Sequence, residues 1–94
     1  MSRAFVNEDA GQEAEPRYDL PARDAAHYEE AAAWALLEGA NAGNTKSAEN
    51  ATGYRWGDPD LVKHVEVYLA EAEREGQDRV AQLARRFLRA SRQT

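Results

Sequence analysis

The sequence predicts an all-α fold, a small three- to four-helix bundle ending in an antiparallel αα-hairpin. Three observations carry that prediction. From Asp24 onward the composition is alanine-rich over a scaffold of Leu, Trp and Tyr, and alanine has the best intrinsic helix propensity. Two later segments place their apolar residues at helical spacing, and no alternating apolar run or Asn-Gly hairpin signal occurs anywhere in the 94 residues.

The first helix is read from Asp24, which can cap its start, through Ala31-Ala32-Ala33-Trp34-Ala35-Leu36-Leu37 to a close at Gly39 or Gly43. Its faces are poorly separated. Ala33, Leu36, Leu37 and Ala40 gather on one side, whereas Trp34 shares another with Glu30 and Glu38 at i±4, so Trp34 is expected to be half-buried. Asn44 can cap a short second helix over Thr45 to Thr52, which Gly53 stops. Asp58-Pro59 is a capping residue followed by the imino acid favoured at a first helical position. The segment from Asp58 to Gly76 then reads as one amphipathic helix, with Leu61, Val62, Val65, Tyr68, Leu69 and Ala72 along its stripe. Asp78 can cap the last helix, whose stripe is Val80, Leu83, Ala84, Phe87 and Leu88 and which runs to about Ala90. The short turn at Gly76 makes these last two helices antiparallel neighbours. An echo at an offset of 33 residues pairs Ala48 with Ala81, Ala51 with Ala84 and Tyr54 with Phe87, near the period of helical-hairpin repeats.

Ahead of the helices the composition differs. Six of the first 24 residues are acidic, Pro16 and Pro21 interrupt any helical pattern, and the large apolar residues are Phe5, Val6, Tyr18 and Leu20. So little apolar surface does not offset about 1 to 2 kcal/mol of backbone entropy per ordered residue, so residues 1–23 are expected to form a disordered acidic arm and residues 24–92 the helical domain.

Composition also excludes chemistry. Without cysteine there is no disulfide framework, thiol nucleophile, iron-sulfur cluster or cysteine zinc site, and only two histidines are present. His27 and His64 stand 37 residues apart, and the i+4 positions after them hold Ala31 and Tyr68, so neither begins a helical metal motif. Asp58, Asp60 and Glu66 could supply carboxylates for acid-base work, but capping and solvated surface explain them more economically. Ser47, Ser91 and Thr45 lack a nucleophile's neighbours. The expectation is a protein that is not an enzyme and uses no cofactor or metal. No run of about 18 apolar residues and no secretory h-region is visible, which points to a cytoplasmic protein without membrane contact.

Two features can bind a partner. Tyr54-Arg55-Trp56 places between two aromatics an arginine able to stack on either, and these residue types are enriched in interface hot spots. The competing reading folds Tyr54 and Trp56 inward over the hairpin. The second feature is charge polarity. The net charge of −5 divides into −10 over residues 1–78 and +5 over residues 79–94, where five arginines meet no acid. Arg85, Arg89 and Arg92 fall on one flank of the last helix, and Arg79 and Arg86 share the other. Such a flank can engage an acidic protein surface or phosphates, or simply pair with Glu71, Glu73 and Glu75 of the neighbouring helix.

Met1-Ser2-Arg3-Ala4-Phe5-Val6-Asn7-Glu8-Asp9 resembles the N-terminal peptide of some bacterial Gre-family transcript cleavage factors. The resemblance implies a context beside the transcription machinery, with RNA polymerase as a partner. It does not extend to that family's long coiled coil, acidic metal-holding tip or β-rich domain; the nearest parallel to the tip, Gly43 to Ala51, holds one carboxylate, Glu49. Cleavage chemistry is therefore assigned to no residue. The sequence as a whole predicts a non-enzymatic helical protein-interaction module, monomeric or homodimeric, with nucleic-acid binding through the last helix as the alternative.

Overall fold

The computed structural model describes residues 18–93. Four α-helices occupy most of them: α1 over Tyr28–Asn41, α2 over Thr45–Thr52, α3 over Val62–Glu75 and α4 over Asp78–Ser91, with a 3-10 turn over Pro59–Leu61 ahead of α3. No strand occurs among the described residues. No helix among them is long and apolar enough to cross a membrane.

α1 explains its own indistinct faces. It touches α2, α3, α4 and the 3-10 turn, so Tyr28, Ala32, Ala33, Ala35, Leu36, Leu37 and Gly39 are all buried around its circumference. A helix enclosed on several sides needs apolar residues on several sides. The core joins Ala33, Leu36 and Leu37 of α1 to Ala48 of α2, Leu61 and Val65 of the next segment, and Leu83, Ala84, Phe87 and Leu88 of α4.

The helix ends differ from the sequence reading at several points. α1 starts at Tyr28 with its cap at His27 rather than Asp24, because the preceding residues turn back along the helix: Ala25 N–H donates to Ala22 O at 2.9 Å and Tyr28 N–H to Ala25 O at 3.1 Å. That reversal lays the Arg23 guanidinium 5.5 Å from the Tyr28 ring centroid and packs Tyr18 against the core. Residues 1–17 of the expected arm, including the Gre-like peptide, lie outside the described residues. Of the two glycines offered to close α1 it is Gly43, at φ 75° just past the cap Ala42, that does so; Gly39 lies inside the helix, where a Cβ would stand 2.6 Å from the Ala48 Cβ, so this residue permits the close crossing of α1 and α2. Asn44 does occupy the cap position of α2, though its side chain makes no capping bond.

The helix expected from Asp58 begins instead as a 3-10 turn, with Pro59 first and the Asp58 carboxylate accepting from Asp60 N–H at 3.0 Å. Its α-helical part starts at Val62. Gly76 ends it at φ 73°, in the left-handed region that glycine enters without a Cβ penalty. Asp78 is the first residue of α4 rather than its cap, which is Gln77. The hairpin of α3 and α4 forms as predicted, with both apolar stripes turned inward.

The 33-residue echo is kept only in part: Gly43 and Gly76 both turn at positive φ and Ala48 and Ala81 are both buried, but the other two pairs part company. Ala51 is exposed where Ala84 is buried, and Tyr54 lies in a loop whereas Phe87 sits in mid-helix. Val67 is the large apolar side chain left exposed among the described residues, at 54%.

Candidate functional site

The Tyr54-Arg55-Trp56 loop is pinned at each end. Thr52, fully buried, donates from Oγ1 to Ala48 O at 2.9 Å and accepts from Tyr54 N–H at 3.1 Å, while Tyr28 Oη donates to Thr52 O at 2.9 Å. Trp56 N–H donates to the Glu49 carboxylate at 2.8 Å, and its ring meets Phe87 edge-on with centroids 5.0 Å apart. Tyr54 leans on Tyr28 and donates from its hydroxyl to Glu29 Oε2 at 3.3 Å. The two aromatics are half-buried parts of the bundle's lid, and Arg55 between them is exposed.

Gly57 brings this loop against the end of α4. Its φ is +83°, and a Cβ there would stand 2.9 Å from Ala90 Cβ. The aromatic loop thus meets α4 on the side of Phe87 and Ala90, and Arg85, Arg89 and Arg92 lie on the helix's other side.

Arg85, Arg89 and Arg92 share a shallow groove of about 320 Å³ with Leu69 and Leu88. Arg85 is tied to Glu73 at 2.7 Å, an exposed pair of the kind that contributes about 0 to 1 kcal/mol. Among the described residues, Arg89 and Arg92 make no ion pair. Their guanidinium groups border a leucine floor. On the opposite flank Arg79 is engaged internally, donating from Nε to Asn41 Oδ1 and from Nη1 to Gln82 Oε1, both at 2.8 Å.

A second concavity was visible in the sequence only as the polar flank of α1. Trp34, Glu30 and Glu38 of that helix, with Asp19, His27 and Tyr68, line a cleft of about 530 Å³. Trp34 and Tyr68 form its aromatic wall, with centroids 5.1 Å apart, and Tyr68 Oη donates to Glu30 O at 2.9 Å. The sequence placed neither Asp19 nor Tyr68 here: the reversal before α1 brings the first, and the packing of α3 against α1 brings the second.

Partial burial, followed by the nearby Glu30 and Glu71 carboxylates, pushes the Tyr68 phenol up to about 12. A phenol that ionises near pH 10 in the unfolded chain and near 12 in the folded one contributes stability that is complete below about pH 10 and lost as the pH rises through 12. Urea denaturation across that range is expected to show the midpoint falling in the wild type and falling less in Tyr68→Phe.

Among the described residues no group of three or more His, Asp and Glu side chains is arranged to hold a metal ion. His64 faces Glu29 at 3.6 Å, and His27 lines the Trp34 cleft. No family model matches the chain, and no curated protein or solved structure matches it either.

Proposed function

We propose that the chain is a non-enzymatic protein-interaction module that docks an acidic segment of a partner through the groove of Arg85, Arg89 and Arg92. The observation that carries this reading is the pair Arg89 and Arg92, adjacent on α4, uncompensated among the described residues and set over Leu69 and Leu88. Guanidinium groups present planar forks suited to carboxylates, and an apolar floor beside them favours a peptide with hydrophobic residues among its acids over a bare phosphate. Arg55, exposed in the loop on the other side of the α4 C-terminus, is available for a separate contact. In its most specific form the partner belongs to the transcription machinery, RNA polymerase itself, which the Gre-like residues 1–9 support.

Capture from a bacterial lysate and from purified RNA polymerase tests this reading. The wild type is expected to retain a discrete protein that Arg89→Glu with Arg92→Glu loses, the circular dichroism spectrum being the same for both. Retention of duplex DNA with a steep salt dependence, abolished by the same pair of substitutions, would transfer the groove to nucleic acid instead.

A further inference from the structure

The Trp34 cleft and the arginine groove are complementary in charge, in chemistry and in length. Asp19, Glu30 and Glu38 have no ion pair among the described residues, and they surround an aromatic wall. An arginine entering the cleft would meet carboxylates at its rim and the face of Trp34, the aromatic side chain that attracts a cation best. Glu30, Trp34 and Glu38 lie at i, i+4 and i+8 on α1, a row about 12 Å long at 1.5 Å per residue. Arg85, Arg89 and Arg92 form a row of about 10 Å on α4, also exposed along one flank.

We propose that the Trp34 cleft of one copy receives the arginine flank of another, with Arg89 set against Trp34 and Arg92 reaching the Glu30 to Glu38 row. The proposal rests on the reading of the arginine groove as a docking surface and names the first acidic surface that fits it. Nothing apolar on the bundle demands this contact, since Val67 is the large apolar side chain left exposed among the described residues. The contact is accordingly electrostatic, weak and sensitive to salt.

The geometry also fixes the kind of assembly. Tyr68 lines the cleft and Leu69 the groove, and neighbouring residues of a helix project about 100° apart. The two surfaces therefore face different directions on each copy, and the contact is heterologous, joining copies head to tail.

Sedimentation of the full chain tests it through complementation. At low ionic strength the weight-average mass of the wild type is expected to rise with concentration toward and beyond twice that of the single chain, and to return to the single-chain value in high salt. Arg89→Glu with Arg92→Glu, and separately Glu30→Lys with Glu38→Lys, are each expected to remain single chains with unchanged circular dichroism. An equimolar mixture of the two variants is expected to associate again, because each supplies the surface the other has lost. A wild type that stays monomeric at every concentration overturns the proposal, as does a mixture that fails to associate. If capture of a partner protein still depends on Arg89 and Arg92 in that case, the docking role of the groove survives and only the second-copy assignment falls.

Discussion

Phe87→Ala is expected to lower the melting temperature by at least about 15 °C and to leave a large unfolded fraction at physiological temperature. Phe87 is fully buried where α4 meets α1, and its ring also supports the edge of Trp56. Truncating a buried phenylalanine costs about 3 to 5 kcal/mol, and here the cavity would open beneath an aromatic lid held by its backbone to Glu49. Domains below about 80 residues have small stabilities of their own, so a loss of this size takes most of what 76 described residues provide. Circular dichroism on heating reads the outcome directly. A fall of only a few degrees would mean that α4 does not seat Phe87 in the core.

The second large effect is expected at Gly57, where two demands coincide. The φ of +83° lies in the left-handed region that costs other residues about 1 to 2 kcal/mol, and the Cβ would crowd the Ala90 Cβ at 2.9 Å and the α4 backbone at 3.1 Å. Backbone cannot move aside as a flexible side chain can, so the loop and α4 must separate, at a further 1 to 3 kcal/mol or about that. Gly76 isolates the first demand from the second. It has a similar φ of +73° with nothing within 4 Å of its Cβ position. Urea midpoints are therefore expected to fall for both Gly57→Ala and Gly76→Ala, with the loss at Gly57 clearly the larger. Equal losses would show that no close contact joins the aromatic loop to the end of α4.

The helices were legible in the sequence wherever periodicity and capping agreed. The stripe from Leu61 to Ala72, the turn at Gly76 and the stripe from Val80 to Leu88 each combined an apolar period with a glycine or capping residue, and the αα-hairpin followed from them. α1 was found by its alanine content, but its faces could not be separated because the core encloses the helix on several sides. Its cap was misplaced by three residues, at Asp24 instead of His27. Asp24 is a good capping residue locally, yet the reversal that returns Tyr18 toward the core overrides it, and tertiary packing of that kind leaves no local signal. Thr52 is similar. A fully buried threonine whose hydroxyl fastens the loop to α2 reads in sequence as an ordinary helix-terminal polar residue.

The candidate surfaces divide along the same line. The arginine flank was visible because five arginines without an acid stand out in an acidic chain, and spacing alone put three on one face. Which of them is already paired was not visible, since the choice of Glu73 by Arg85 depends on how α3 and α4 align. For Trp56 the two sequence readings were a lid on the core and an exposed anchor. The structure sets its ring against Phe87 while leaving Arg55 beside it in solvent, so one tripeptide holds both kinds of residue. In the Trp34 cleft, Glu30, Trp34 and Glu38 shared a helix face from the outset. The missing parts were Asp19 and Tyr68, contributed by segments distant in sequence.

The central claim is that aromatic residues at the α4 end hold the fold while the arginines beside them hold the partner. A paired measurement of melting temperature and partner retention on Trp56→Ala and on Arg89→Glu with Arg92→Glu separates these roles. Trp56→Ala is expected to lower the melting temperature markedly through loss of its contact with Phe87. The arginine variant is expected to melt as the wild type does and to lose its partner. A Trp56→Ala protein with wild-type stability that no longer retains the partner, alongside an arginine variant that retains it, would contradict the account.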